Sequence, residues 1–198
     1  MPLHASITLA SASPRRQELL RQIGVAHEVR AADVDESPRP GEDPAAYVER
    51  LARAKAEAVW ALDPKRPVLA ADTTVALGRE LFGKPTDQND GLRMLRALAG
   101  RTHRVLTAVA VRGARGCAAK LSVSEVTLRA LSEEECARYW ATGEPEGKAG
   151  AYAIQGLAAT FITALQGSYS GVMGLPLAET AALLADAQVR LWNSGAMD

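Results

Sequence analysis

Hydroxyl and guanidinium side chains lie close together near the start of the chain, in the segment Ser11-Ala-Ser-Pro-Arg-Arg16. Ser13 is a suitable N-cap and Pro14 suits the first helical position, so the segment predicts a helix N-terminus. Unpaired backbone N–H groups and the helix dipole favour an anion there, and Arg15 and Arg16 carry planar forks of donors that fit phosphate oxygens. An ordinary capped helix with surface arginines explains the same pattern equally well, so the rest of the chain must decide.

A carboxylate interrupts a nearly continuous apolar run over residues 67–77, which reads Pro-Val-Leu-Ala-Ala-Asp-Thr-Thr-Val-Ala-Leu. This run, with β-branched residues around the break, predicts a buried central strand. A carboxylate inside such a strand is costly unless it is paired, hydrogen-bonded or bound to a metal. Asp72 is therefore a leading candidate for chemistry, and a structural capping role is the alternative.

Other chemistry-bearing residues fall at the ends of predicted helices and strands, where α/β proteins place ligand sites. Basic residues suit a polyphosphate, and acidic residues suit a divalent cation that bridges its oxygens. Neither the P-loop lysine motif nor the dinucleotide-binding fingerprint is present, so this would be a phosphate site of another kind. The candidates are Asp35 and Glu36 in an acidic loop, Lys55 on a helix, Lys84 between Gly83 and Pro85, Lys148 and Gln155 around a glycine-rich loop, and Ser168 in a Gly-Ser-Tyr turn.

The elements that must position these residues alternate between helices and strands, but hairpins are also predicted. This combination favours a mixed sheet with helices on its faces over an all-parallel sheet. Helices are expected after Ser13, Asp43, Asp87 or Asn89, Ser132 and Pro176. Strands are expected over residues 6–9, 26–30, 67–77, 104–111, 121–128, 151–154 and 159–165.

Composition excludes several broad classes of function. The 198 residues are 47% hydrophobic, which suffices for a substantial core, and 23 basic residues balance 23 acidic ones. No overall field therefore favours nucleic acid or an acidic membrane surface, and local geometry must attract any anion. The two cysteines have no metal-ligand spacing, and the sequence has neither a secretion signal nor a membrane-length apolar run. We expect a single cytoplasmic domain over residues 1–198.

Taken in order, these motifs closely resemble those of the Maf family of nucleoside triphosphate pyrophosphatases, from Leu9 to about Leu184. The motifs that carry the resemblance are Leu-Ala-Ser-Ala-Ser-Pro-Arg-Arg16, Ala-Asp72-Thr, Gly-Lys84-Pro, Lys148-Ala-Gly-Ala-Tyr, Gln155-Gly and Gly-Ser168-Tyr. The resemblance implies an α/β fold, with a mixed central sheet and two lobes around a deep cleft, shared with inosine triphosphate pyrophosphatases. It also implies a homodimer.

Within that family, the branch that hydrolyses dTTP and UTP carries Arg, Thr and Gln at three specificity positions. These match Arg15, Thr73 and Gln155 here, whereas the branch acting on 7-methyl-GTP differs at these places. One departure from the family pattern is Ser170-Gly171, where bulkier residues are expected.

The resemblance also implies a role for each candidate except Lys148, for which a plain loop charge is an equal alternative. Asp72 would be the base, or a metal ligand whose bound water attacks, and Glu36 would help it hold Mg²⁺ or Mn²⁺, with Asp35 as the fallback. Gln155 and Thr73 would meet the pyrimidine or its sugar. The triphosphate would be held by the cations Arg15, Arg16, Lys55 and Lys84 and by the neutral donors Ser11 and Ser13. Ser168 would either contact the ligand or serve only as a turn residue.

Two other functions remain open from the sequence. One is a pyrophosphatase for a purine or modified nucleotide. The other is a nucleotide-binding regulator of cell division or septum formation with weak hydrolysis, although the intact set of Asp72, Glu36 and Lys84 argues against a vestigial site. A nucleic-acid binder is least expected, because the charge is balanced and no basic stripe is present.

Overall fold

The computed structural model describes residues 6–192. The strands are β1 (Ile7–Leu9), β2 (His27–Val29), β3 (Val68–Leu77), β4 (Glu80–Phe82), β5 (Thr102–Gly113), β6 (Gly116–Leu128) and β7 (Ile162–Gln166). The helices are α1 (Pro14–Gln22), α2 (Pro44–Leu62), α3 (Gln88–Leu98), α4 (Glu133–Trp140), α5 (Tyr169–Met173) and α6 (Leu177–Asp186). Within residues 6–192, none of the helices has both the length and the apolarity needed to span a bilayer.

The strands form one mixed sheet in the order β2-β1-β3-β5-β6-β7, with β4 also paired to β3. β1 runs parallel to β2 and β3, and the other pairs are antiparallel. The parallel pair of β1 and β3 needs a long crossover, which contains α2, whereas β5 and β6 are joined by a tight hairpin turn. The prediction of a mixed central sheet flanked by helices is confirmed.

The sheet opens along one edge of β3. On that side β1 pairs with Val68 and Leu69, and β4 pairs with the segment from Val75 to Leu77. Among the described residues, no strand covers the stretch between them, whereas β5 pairs along nearly all of the opposite edge. The middle of β3, which contains Asp72, therefore faces a gap between a parallel and an antiparallel neighbour.

Side chains of β3 alternate between two cores. Val68 and Ala70 pack against α2, whereas Leu69 and Ala71 pack in the core that contains residues of α1 and α6. A third core, which includes Val75, contains residues of α3 and α4. Because neighbouring residues in a strand point to opposite faces, Asp72 faces α2 and Thr73 faces the other side of the sheet. The gap in the sheet gives both side chains access to the same space.

The predicted strand over residues 151–154 is wrong. The chain there forms a 3-10 turn, Ala149–Ala151, and then an irregular segment. Gly150 has a φ of +71°, and its backbone N–H donates to the carbonyl oxygen of Gly83 rather than to a neighbouring strand. A Cβ at Gly150 would lie 2.9 Å from Val75, so only glycine lets the loop approach β3 this closely. The strand predicted over residues 159–165 begins later, at Ile162, after a second 3-10 turn, Leu157–Thr160.

Candidate active site

A cleft of about 820 Å³ lies at the gap in the sheet. Its walls come from the turn between β1 and α1, the middle of β3, α2, the acidic loop and the glycine-rich loop before β7. Ten of the residues to which the resemblance assigns a role line it: Ser11, Ser13, Arg15, Arg16, Glu36, Lys55, Asp72, Thr73, Lys84 and Gln155. Positions as far apart in the chain as Ser11 and Gln155 therefore meet in one place.

The buried ammonium group of Lys55 joins the two candidate carboxylates. Its Nζ lies 2.7 Å from Asp72 Oδ1 and 2.7 Å from Glu36 Oε1. Lys55 and Asp72 are each only 7% exposed, whereas the Glu36 side chain is 46% exposed. Lys55 comes from the face of α2 that packs against β3, which explains why a lysine lies among the apolar residues of that helix face. Pairing lowers the cost of burying the Asp72 charge.

The two carboxylates have pKa values shifted in opposite directions. Burial raises the pKa of Asp72 above its usual value, although Lys55 and Arg16 oppose the shift. Burial alone would also raise the pKa of Glu36, but Lys55, Lys84 and Arg16 outweigh it and the pKa lies below its usual value. Such a division separates a group suited to accept a proton from one suited to stay charged.

The acidic loop that carries Glu36 is held by α2. The hydroxyl of Tyr47 donates to the backbone carbonyl of Glu36 at 2.9 Å. Arg50 pairs with Glu42 at 2.6 Å and also donates to the carbonyl of Ser37. Tyr47 belongs to none of the motifs singled out from the sequence, so this positioning role was missed. Asp35, the fallback to Glu36, is exposed and accepts from the Ser37 amide instead of lining the cleft.

Arg16 ties three parts of the cleft wall together. Its Nε donates to the carbonyl of Gly174 at 2.8 Å, Nη1 to Ser11 Oγ at 3.1 Å and Nη2 to Thr73 Oγ1 at 3.3 Å. Thr73 in turn shares a 2.9 Å hydrogen bond with Thr107 on β5. The guanidinium has five N–H donors, so two remain for a ligand once these three bonds are made.

The N-terminus of α1 begins as predicted, with Pro14 as the first helical residue and Ser13 at the N-cap position. The Ser13 hydroxyl nevertheless makes no capping hydrogen bond, and its amide donates to Ser11 Oγ at 3.2 Å. The Nε of Arg15 is buried, and among the described residues it has no hydrogen-bond partner. The Ser13 hydroxyl and the Arg15 guanidinium are therefore available to a ligand in the cleft, because neither is used to cap the helix.

Ser168 does not lie in the lining of the cleft. Its hydroxyl accepts from the Gly171 amide at 3.0 Å and so caps α5, and its own amide donates to Ser124. The structure therefore favours the turn role over the substrate contact that was predicted for it. The small residue at position 171 also has a structural reason, because a Cβ there would lie 3.0 Å from Ser122 Oγ.

The glycine-rich loop supplies residues that the sequence left without a firm role. Lys148 lines the cleft, and its pKa is lowered by burial and by the nearby charge of Arg15. Tyr152 also lines the cleft, and its hydroxyl lies 2.8 Å from Nε2 of the buried His103. Burial lowers the pKa of His103 to about 4, so this imidazole is neutral at pH 7 and serves as a buried hydrogen-bond partner of Tyr152.

Within residues 6–192, no three His, Cys, Asp or Glu side chains come together to form a metal site. Among the described residues that line the cleft, only Glu36 and Asp72 carry carboxylates. A pair fits Mg²⁺, which takes one or two protein carboxylates and completes its shell with water and phosphate oxygens.

Comparison with known proteins agrees with the motifs. The family model described as "Maf-like protein" matches residues 6–187. A dTTP/UTP pyrophosphatase of Chromobacterium violaceum is 55% identical over 185 residues, which cover 91% of this chain and 93% of that protein. Proteins of the same name from Aromatoleum aromaticum and Hahella chejuensis are 53% and 48% identical and cover 92% and 97% of this chain, and 96% and 97% of their own lengths.

Among solved structures, the Staphylococcus aureus Ham1 protein is 18% identical, with a TM-score of 0.46, over 62% of this chain and 71% of that one. That similarity is too low to support a conclusion about this chain. The family model and the curated relatives, by contrast, span nearly the whole sequence and confirm the resemblance drawn from its motifs. The chain belongs to the Maf family.

Proposed function

We propose that this chain hydrolyses dTTP and UTP to the nucleoside monophosphate and pyrophosphate, a house-cleaning reaction of the nucleotide pool. The observation that carries the proposal is a buried, lysine-paired aspartate in a cleft with more cations than carboxylates. The chain as a whole has no net charge. The cleft nevertheless gathers Arg15, Arg16, Lys55, Lys84 and Lys148 around Glu36 and Asp72. The names of the curated relatives support the choice of nucleotide.

In the proposed reaction, water attacks the α-phosphorus and pyrophosphate leaves. Asp72 accepts the proton of the attacking water, and its pKa, raised by burial, makes it a better base than an exposed carboxylate. Negative charge that grows on the phosphate oxygens is balanced by the cations that line the cleft. Gln155 suits the pyrimidine because an amide can donate to a base carbonyl and accept from the N3–H of uracil or thymine.

We further propose that a divalent cation, Mg²⁺ or Mn²⁺, is held by Glu36 and Asp72. Bound there, it would supply charge neutralisation for the phosphate oxygens and, in the alternative role of Asp72, lower the pKa of the attacking water. Lys55 already occupies the position between the two carboxylates, 2.7 Å from each. Lys55 uses one oxygen of each carboxylate, Asp72 Oδ1 and Glu36 Oε1, so the second oxygen of each would be the one to hold a metal.

Substitution of Lys84 tests whether the cations that line the cleft bind the triphosphate. Its side chain is exposed in the cleft, close enough to Glu36 to lower the pKa of that carboxyl. Lys84→Ala should raise KM for dTTP and lower kcat, with a loss in kcat/KM of about ten- to a hundredfold, the worth of one charge-assisted hydrogen bond. Lys120→Ala, which removes an exposed lysine from β6, is the matched control. Unchanged kcat and KM in Lys84→Ala would place Lys84 outside the site.

A substrate panel tests the choice of nucleotide. dTTP, UTP, CTP, ITP and 7-methyl-GTP would each be supplied with Mg²⁺ or Mn²⁺, and released pyrophosphate would be converted to phosphate and measured. We expect the highest kcat/KM for dTTP and UTP. A strong preference for ITP or 7-methyl-GTP would overturn the proposed substrate, and tight dTTP binding without turnover in either metal would favour a regulatory protein.

A cytoplasmic location and a homodimeric state complete the proposal, and the family resemblance is their support. Light scattering from the purified chain should give twice the mass of 21.0 kDa. A monomer mass at micromolar concentration would contradict the dimer.

A further inference from the structure

The loop that carries Gln155 is held on its C-terminal side by one carboxylate. Glu144 Oε2 accepts from the amide of Leu157 at 2.8 Å, and Oε1 accepts from the amide of Ala158 at 3.1 Å. These donors follow Gln155 by two and three residues. Gln155 itself is exposed to the cleft and has no strand partner to fix it. The Glu144 carboxylate therefore satisfies backbone amides of this loop and fixes its position, as hydrogen bonds to a neighbouring strand would fix a strand.

A tyrosine extends this anchor to the other side of Gln155. The hydroxyl of Tyr139 donates to Glu144 Oε1 at 2.7 Å and accepts from the amide of Ala153 at 3.3 Å. Tyr139 is only 4% exposed, and burial together with Glu144 raises the pKa of its hydroxyl, which stays protonated as a donor. Residues before and after Gln155 are thus bound to one Tyr139–Glu144 pair.

The Glu144 carboxylate leaves no room for a side chain at position 156, the residue after Gln155. A Cβ at Gly156 would lie 2.1 Å from Glu144 Oε2. The φ of Gly156 is −111°, outside the left-handed region that favours glycine. The close approach of Glu144 is the reason for glycine here, and it places the carboxylate one residue from Gln155.

Glu144 also acts on a second specificity position. Burial lowers the pKa of Arg15, and Glu144 is the first of the groups that oppose this by stabilising the guanidinium charge. Glu144 does not belong to the residues that line the cleft. It is placed to influence Arg15 and Gln155 without touching a nucleotide.

We infer that Glu144 is a positioning residue that sets the selectivity of the site for uracil and thymine by fixing the Gln155 loop. This inference rests on the proposed function, because it assigns Gln155 to the pyrimidine base. An amide selects uracil over cytosine only if its donor and acceptor ends point the right way, since the two bases exchange donor and acceptor at adjacent positions of the ring edge. Loss of the anchor should therefore affect the distinction between bases more than the binding of phosphate.

Binding of two non-hydrolysable nucleotides, α,β-imido-dUTP and α,β-imido-dCTP, tests the inference by calorimetry. In Glu144→Gln the amide must present its NH₂ group to an N–H or O–H donor, so one anchor bond is lost. A less firmly held Gln155 should lose one hydrogen bond to uracil, so we expect affinity for the dUTP analogue to fall about tenfold. Affinity for the dCTP analogue should change little. Glu146→Gln removes the same charge from an exposed position in the same loop and is the matched control.

A double-substitution cycle separates positioning from a general structural role. In the Gln155→Ala background, Glu144→Gln should produce no further change in the ratio of the two affinities. An equal loss for both analogues, or a further change of the ratio in that background, would overturn the inference. If Glu144→Gln fails to fold, Tyr139→Phe removes bonds to Glu144 and Ala153 and must change the ratio in the same direction.

The outcome is independent of turnover, because neither analogue is hydrolysed at the α–β bond. A wild-type chain that binds the dUTP analogue selectively but leaves dTTP intact would contradict the proposed reaction. The role of Glu144 in base selectivity would still stand. A wild-type chain that binds both analogues equally would contradict the selection of uracil over cytosine by Gln155, and the role of Glu144 with it.

Discussion

Asp72→Asn is expected to lower kcat for dTTP by a factor of about 10² to 10⁴, the usual contribution of a general base. Asparagine keeps the size of the side chain and can still accept from Lys55, which lies 2.7 Å from Asp72 Oδ1. It cannot take a proton from water at neutral pH. Pyrophosphate release measured at saturating dTTP gives the effect on kcat.

Two controls make the Asp72→Asn result specific. Circular dichroism and thermal unfolding should match the wild type, since the buried lysine keeps Glu36 as its counter-ion. Asp63→Asn changes a carboxylate at the C-cap of α2 that does not line the cleft, and it should keep wild-type turnover. Wild-type turnover in Asp72→Asn would refute the assigned role.

The same variant separates the two roles left open for Asp72. If the carboxylate is a metal ligand, Asp72→Asn should weaken Mn²⁺ binding in the presence of a non-hydrolysable nucleotide. If it is only the base, Mn²⁺ binding should persist while turnover is lost. Electron paramagnetic resonance of free Mn²⁺ measures this binding without any need for turnover.

Lys55→Met is expected to have the second large effect, on stability and on the pH dependence of the reaction. The substitution leaves the buried Asp72 carboxylate without its nearest counter-ion, 2.7 Å away. Breaking a buried pair by removing one partner costs about 3–5 kcal/mol. Urea unfolding at pH 7 should show this loss, and Lys65→Met, at a side chain that is 81% exposed, should not.

The sign of the pH effect follows from the groups around Asp72. Burial already raises the pKa of Asp72, and Lys55 is the main group that opposes the shift. Without Lys55 the pKa rises further, so the acid limb of the rate profile should move to higher pH. The folded state then holds its proton more tightly than the unfolded state, and stability should fall as pH rises through the folded pKa. An unchanged acid limb would contradict the role of Asp72 as base.

The local patterns of the sequence predicted the parts of the site that lie within one element. Ser13 and Pro14 marked the start of α1, and the apolar run around Asp72 marked a buried strand. In both cases the signal is local, because a helix start depends on a few adjacent residues and a central strand must be apolar on both faces. The positions of these elements were therefore within reach of the sequence alone.

Contacts between distant segments could not be predicted in the same way. Residues 151–154 form a short apolar run that resembles a buried strand. The amide of Gly150, just before the run, donates to the Gly83 carbonyl, and the amide of Ala153 donates to the Tyr139 hydroxyl, so these groups are not offered to a neighbouring strand. Glu144 lay in a polar, glycine-rich loop and showed no motif of its own. Its role depends on where Leu157 and Ala158 turn their amides, which is a property of the folded chain.

The central claim is that water, with Asp72 as base, attacks the α-phosphorus of dTTP. Hydrolysis in water enriched in the heavy oxygen isotope, followed by mass spectrometry of both products, tests that claim most directly. The proposed reaction places the heavy oxygen in dTMP and none in pyrophosphate. Heavy oxygen in pyrophosphate, or release of single phosphate in place of pyrophosphate, would contradict the account.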